Sequence, residues 1–193
     1  MMKNIGTRCL DCWAQAPKEG HTNLRQYSLM RMKMERLEQI WRHPLYQDCL
    51  MKNRAAEADR RFCRHNMEHF LDVARIGWIM VLEEGLAVSK ELLYAAALLH
   101  DIGRFRQYEE KIPHEVAGVE LASRILCDCA FTQDEQREIL DAISGHRSKT
   151  ENTRSLLGEV LYRADKASRP CFSCGAIGDC NWDDEKKNLR IHY

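Results

Sequence analysis

The chain has no long hydrophobic run. Its most apolar stretch, LLYAAALL at residues 92–99, falls far short of the ~20 residues that cross a bilayer, so no membrane segment is expected. The first twenty residues lack the apolar core of a signal peptide, and the expected compartment is the cytoplasm. No single sign of charge dominates either. Twenty-nine Lys and Arg balance 29 Asp and Glu, which gives no overall field for nucleic acid and no acidic tail. There is no internal repeat, no low-complexity segment and no convincing strand alternation. Nine cysteines are many, but an odd number without an export signal argues against a disulfide framework.

What is present is helical period. A chain of 193 residues suits one domain with a full core. Apolar positions recur at helical spacing from about Leu29. Pro44 separates the first segment from the next. A long amphipathic stretch from Arg61 to Gly85 aligns Phe62, His65, His69, Val73, Ile76 and Met80, with Gly85 as its stop. Ser89 is an N-cap for KELLYAAALLHDI, Pro113 precedes another helix, and Thr132 with Glu135 forms a capping box. A last helix covers roughly Thr153 to Ala167. The expected class is all-α, a bundle of about six or seven helices. Residues 1–28 read as an extension, 29–170 as the helical domain and 171–193 as a cysteine-containing tail.

On these helices lie several imidazoles and carboxylates. His65 and His69 stand one turn apart. His100 and Asp101 end a core helix, His114 begins the next, His146 follows Gly145, and Asp165 points near the apolar side of the last helix. A carboxylate in an apolar interior costs several kcal/mol unless compensated. Imidazole nitrogens and carboxylate oxygens suit a divalent transition metal, namely Fe, Mn, Ni or Zn, better than Mg or Ca. Adjacent residues point about 100° apart on a helix, so His100 and Asp101 share one ion only at a helix end, where Gly103 lets the backbone turn. Asp101 has two oxygens and can bridge to a second ion.

The order His69, then His100-Asp101, then Asp165, with the flanks HFLDVA, LLHDIGRF and LYRADKAS, resembles the HD-domain superfamily of metal-dependent phosphohydrolases over about residues 35–170. The resemblance implies an HD-domain helical bundle in which His69, His100, Asp101 and Asp165 bind one metal. IPHEVAGVELA and ISGHRSK match the added histidines of two-metal members, which implies that His114 and His146 bind a second ion bridged by Asp101. That branch includes cyclic-dinucleotide phosphodiesterases with an HD-GYP motif, absent here, and diadenosine tetraphosphate hydrolases. The implied activity is hydrolysis of a phosphate ester or anhydride of a small molecule, a nucleotide or dinucleoside polyphosphate. Two ions ~3.5–4 Å apart would activate a bridging water. Asp101, Arg104 and His65 are the candidate catalytic residues, with His65 beside the ligands rather than among them. Arg104, Arg147, Lys149 and Lys166 are the candidate phosphate contacts. Two other readings remain: a di-iron oxygenase of the same fold, such as myo-inositol oxygenase and a phosphonate-cleaving relative, or a nucleotide-binding regulator with little turnover.

The tail places Cys171, Cys174 and Cys180 in a C-x2-C-x5-C run. Three thiols are one ligand short of a structural zinc site, so Cys9, Cys12, Asp179 or His192 would have to complete it, or an iron–sulfur cluster would need an outside ligand. The plain alternative is a loop of unligated thiols. Cys49, Cys63, Cys127 and Cys129 are expected on helices as small apolar residues.

Overall fold

The computed structural model describes residues 34–147 and 154–193. The expected extension over 1–28, Cys9, Cys12 and Lys149 lie outside the described residues. The described part is all-α. Its helices are α1 (Glu35–Arg42), α2 (Pro44–Ala56), α3 (Met67–Glu84), α4 (Lys90–Leu99), α5 (Arg104–Glu109), α6 (His114–Asp128), α7 (Gln133–Gly145) and α8 (Leu156–Ala167). Two 3-10 turns come after them, Cys171–Ser173 and Ile177–Asp179. Without the six-residue α5, the count is seven, within the expected six or seven. No described helix is long and apolar enough to cross a membrane.

α4 is the centre of the bundle. Leu92, Leu93 and the run from Ala95 to Leu99 are all buried, and the helix packs against α1, α3, α7 and α8. A helix that is apolar all round must be covered all round. Its last turn therefore delivers the next two residues, His100 and Asp101, into the interior. α3 packs most extensively on α8 and α4, and α6 on α7, so every other element that bears a candidate ligand surrounds this point.

The helix signals are local and mostly as expected. Gly85 adopts φ 64° and ends α3, a left-handed cap that favours glycine. Thr132 and Glu135 form both bonds of the capping box. Ser155 caps α8, so that helix starts at Leu156. The start of α3 differs from expectation. Asn66 accepts from the His69 backbone N–H and opens the helix, so Phe62, Cys63 and His65 precede it instead of sitting on its face. Gly103 also differs in its reason. Its φ is −85°, open to any residue. A side chain there would instead meet Gly118 N at 2.7 Å and His114 O at 2.8 Å. The glycine gives α6 room to approach the His-Asp turn, and no unusual turn is needed.

The tail is tied down by polar contacts. Asn188 Nδ2 donates to the carbonyls of Lys166, Ala167 and Arg169 at 2.7, 3.2 and 2.9 Å, covering the open end of α8. Arg61 pairs with Asp179 at 2.7 Å.

Candidate metal centre

Five helices bring their ligand-type residues together. His69, on α3, His100 and Asp101, after α4, and Asp165, on α8, each place one ligand atom within 4.8 Å of the others. Asp101, His114 at the start of α6 and His146 at the end of α7 form a second such group. All six side chains are buried. The groups share Asp101, and its two oxygens divide between them. Oδ2 lies 3.2 Å from His100 Nε2 and 3.9 Å from His69 Nε2. Oδ1 lies 3.0 Å from His114 Nε2 and 3.8 Å from His146 Nε2. Asp165 Oδ1 completes the first group at 3.4 Å from His69 Nε2 and 3.9 Å from His100 Nε2.

The hydrogen-bond network sets the ring orientations. Nδ1 of His100 bonds to Ala97 O at 2.8 Å, Nδ1 of His146 to Ile143 O at 2.5 Å, and Nδ1 of His114 to Gln107 Oε1 at 2.5 Å. Nδ1 of His69 bonds to Ser168 Oγ at 3.2 Å, whose own proton goes to Asp165 O at 2.9 Å. With Nδ1 as donor, the Nε2 of each ring faces inward and carries a lone pair when the ring is neutral. Metal-binding histidines are held in this way.

Those inward lone pairs test whether a cation fits. His114 Nε2 and His146 Nε2 face each other at 3.2 Å, which sets acceptor against acceptor whenever both Nδ1 atoms donate. His100 Nε2 and Asp101 Oδ1 are buried and have no hydrogen-bond partner among the described residues, although each has an ionisable neighbour close by. Such contacts need a proton or a metal ion between them, and the donor set is one for a divalent transition metal. The residues fit the ion.

The charges of the site agree. Burial would raise both carboxyls. For Asp101 the charges of His100 and Arg104 outweigh burial, and it is held well below the usual carboxylate range. For Asp165 the neighbouring His100 ring and the charges of Arg169 and Lys166 do the same. Burial lowers His69 to about 2 and His146 to about 4, so both rings are neutral, as ligation requires. Burial also opposes charge on His100, but Asp101 and Asp165 overcome it and raise the ring. One proton there partly balances two carboxylates, a task a divalent ion would take over.

His65 lies near the site, but not through helix period. Its ring centroid lies 5.7 Å from that of His69, yet it sits in the loop before α3. Buried Glu57 accepts from the His65 backbone N–H at 2.8 Å and from Nδ1 at 2.5 Å, and Tyr108 also donates to it at 2.7 Å. His65 Nε2 then accepts from Arg104 Nη2 at 2.8 Å. Arg104 Nε stands 3.3 Å from Asp101 Oδ1.

The centre forms one side of a cleft of about 170 Å³. Arg104, Arg147 and Lys166, singled out in the sequence, line it; so do Arg60, Arg169 and Lys187, which sequence reasoning misses. Arg169 is the main omission. It is buried and donates to Asp165 Oδ1 at 2.8 Å and His69 Nε2 at 3.3 Å. Its spacing four residues after Asp165 is the available signal. Asn53 is missed as well: it donates to Asp101 O at 3.0 Å and accepts from Phe105 N at 2.8 Å, pinning the turn after the His-Asp pair.

The tail forms another part of the wall. Cys171, Cys174 and Cys180 line the cleft together with Cys63, yet no three of these thiols come within ligand range of one another among the described residues. Cys63 and Cys129 lie outside the helices and Cys127 is exposed, whereas Cys49 is helical and buried as expected; Cys129 is buried too.

Comparison with known proteins is consistent with this geometry. An uncharacterized protein of Clostridium beijerinckii is 44% identical over 160 residues, covering 83% of this chain and all of that protein. Ribonuclease Y of Acetivibrio thermocellus is 31% identical over 106 residues, 54% of this chain but only 18% of that protein. The crystal structure of a predicted HD superfamily hydrolase from an uncultured Thermotogales bacterium matches with a TM-score of 0.52 and 25% identity, over 74% of this chain and 81% of that one. The family model for the HD domain matches residues 66–169, a span that holds all six ligand-type residues, and the chain belongs to the HD-domain family.

Proposed function

We propose that the protein is a metal-dependent phosphohydrolase that cleaves a phosphate ester or anhydride of a small molecule, a nucleotide or dinucleoside polyphosphate. The observation that carries this reading is the pair of ligand groups sharing Asp101 beside a cleft lined by six cationic side chains. His69, His100, Asp101 and Asp165 would hold one ion, and Asp101, His114 and His146 a second. Bound there, divalent ions supply Lewis-acid charge to a phosphoryl oxygen and lower the pKa of water.

The chain's own residues bind and orient. Arg104 and Arg147 present guanidinium forks, which match the spacing of phosphate oxygens, and Lys166 adds a point charge. Glu57 fixes His65, and His65 in turn fixes Arg104. We read His65 as the residue that aims that fork. Burial lowers the His65 ring, so it stays neutral and can accept from Arg104. The cationic lining favours a phosphorylated substrate over an uncharged polyol such as myo-inositol. Relatives named as ribonucleases also support phosphorus–oxygen cleavage.

The test is metal analysis of protein purified without added metal, then a phosphate-release screen across nucleotides, dinucleoside polyphosphates and sugar phosphates. Metal-dependent release is expected. Dioxygen consumption with no phosphate release in any metal would overturn the reading.

A further inference from the structure

His69 has one lone pair to give. Its Nδ1–H donates to Ser168 Oγ, because the Ser168 hydroxyl spends its own proton on Asp165 O. The remaining lone pair is on Nε2, and a neutral imidazole has no other. Arg169 Nη2 stands 3.3 Å from it and donates to it. A metal ion bound to His69 needs that same lone pair. Asp165 Oδ1 also accepts from Arg169, at 2.8 Å, but a carboxylate oxygen has lone pairs to spare. The conflict is therefore specific to His69.

We propose that Arg169 is a gate on the first ligand group. In the metal-free protein its guanidinium occupies the His69 lone pair. When a metal ion binds, the guanidinium gives up that lone pair and turns into the cleft, where it meets the phosphate group of a ligand. The phosphate half of this proposal rests on the function proposed above.

Three observations support movement of the side chain alone. The backbone is anchored, since Asn188 Nδ2 donates to Arg169 O at 2.9 Å and Pro170 is the next residue. The guanidinium is incompletely held, because its Nε is buried without a hydrogen-bond partner among the described residues. The side chain already lines the cleft, so the path out crosses no packed layer. Repulsion supplies a drive: an arriving dication and a guanidinium sharing the same acceptors in a low-dielectric interior repel strongly. A phosphate in the cleft would hold the released fork.

The gate implies a linkage. A ligand that draws Arg169 away from His69 raises metal affinity, and metal must raise the affinity for that ligand by the same factor. Manganese(II) and inorganic phosphate serve as probes, with free manganese read by EPR in full-length, metal-stripped protein. Saturating phosphate should tighten one manganese site of the unmodified protein about 5-fold or more. Arg169→Gln should tighten that site about 10-fold without phosphate, and phosphate should then add less than about 2-fold. Arg169→Lys keeps the charge but shortens the arm, so it should also tighten manganese. Equal affinity in Arg169→Lys and the unmodified protein would mean that charge alone acts, and would overturn the lone-pair gate. Weaker or unchanged manganese binding in Arg169→Gln would make Arg169 a fixed prop. If neither variant folds, absence of phosphate coupling in the unmodified protein decides against the gate. Failure of the unmodified protein to bind manganese at all would instead remove the metal-centre reading beneath it.

Discussion

Replacing Asp101 with asparagine keeps the shape of the side chain and removes its charge. Asp101 is 1% exposed and has His69, His100, His114, His146 and Arg104 within 4 Å of its carboxylate oxygens. In the metal-free protein the loss leaves buried cations uncompensated, which costs about 3–5 kcal/mol for a broken buried ion pair. The His100 ring can shed its proton, so Arg104 is the fixed cation left behind and the low end, about 3 kcal/mol, is expected. For a chain of this size each kcal/mol moves the midpoint by about 2–4 °C, so metal-free Asp101→Asn should melt about 6–12 °C lower.

The same substitution has a second readout. Metal at 100 times its dissociation constant should stabilise the unmodified protein by about 2.7 kcal/mol per ion. Loss of a partner that only supports a ligand weakens metal binding about 10–100-fold, so loss of a shared ligand should exceed that at both positions. Asp101→Asn should then retain neither ion through gel filtration and gain no midpoint on metal addition. Asp165→Asn and His146→Ala should each lose one ion only. Two equivalents of metal in Asp101→Asn, or a loss no greater than in Asp165→Asn, would refute the shared carboxylate.

His65→Ala should keep its metal and lower kcat by about 10–100-fold, because it releases Arg104 rather than an ion; metal loss equal to that of Asp101→Asn would show that His65 is a ligand. Gly103→Ala should cost about 1–3 kcal/mol by overpacking, since the new methyl would lie 2.7 Å from Gly118 N, and an unchanged melting curve would contradict this. Arg36 bridges Glu91 on α4 and Glu135 on α7 at 2.6 and 2.7 Å, so Arg36→Leu should cost about 1.5–3 kcal/mol in denaturant melts at neutral pH. The hydrogen bond from Arg36 holds Glu135 down to about 2 from 4.5. That part of the stability is present above the unfolded value and disappears as pH falls from about 4.5 toward 2, so the two melting curves should converge in acid.

The His-Asp pair is legible because the sequence around it is one-sided. A run as apolar as residues 92–99 has to be central, and a carboxylate at its end has to be compensated. His114 and His146 stand out by their places at helix ends and Asp165 by its nearness to an apolar stripe, and the family resemblance groups them with the pair. Periodicity fails for His65 because two signals compete. Helical spacing continues backward through His65 to Phe62, but Asn66 is among the strongest N-cap residues, and its side chain takes the His69 N–H that a longer helix would have used. Local capping chemistry outweighs the apolar period. The partners of the site are illegible for a different reason. Asn53 and Asp101 are 48 residues apart, and His69 and Arg169 are 100 apart, and no spacing rule connects them.

Net charge misleads in a more instructive way. A chain with 29 charges of each sign has no overall field, and that balance by itself points to no charged ligand. Averages over the chain erase what burial does locally. The cleft gathers Arg60, Arg104, Arg147, Lys166, Arg169 and Lys187, and among the described residues its only acidic lining is Asp101 and Asp165. Those two carboxylates are already committed, through the buried contacts of Asp101 and the 2.6 and 2.8 Å pairs of Asp165 with Lys166 and Arg169. Elsewhere the compensating acids are spent on pairs such as Arg36 with Glu91 and Glu135, Arg106 with Glu120, and Arg163 with Glu84. Anionic ligands respond to the field inside a low-dielectric cleft, where interactions are screened least. A neutral chain can thus carry a strongly cationic site, and that local excess gives the metal-dependent reading its preference for a phosphorylated substrate.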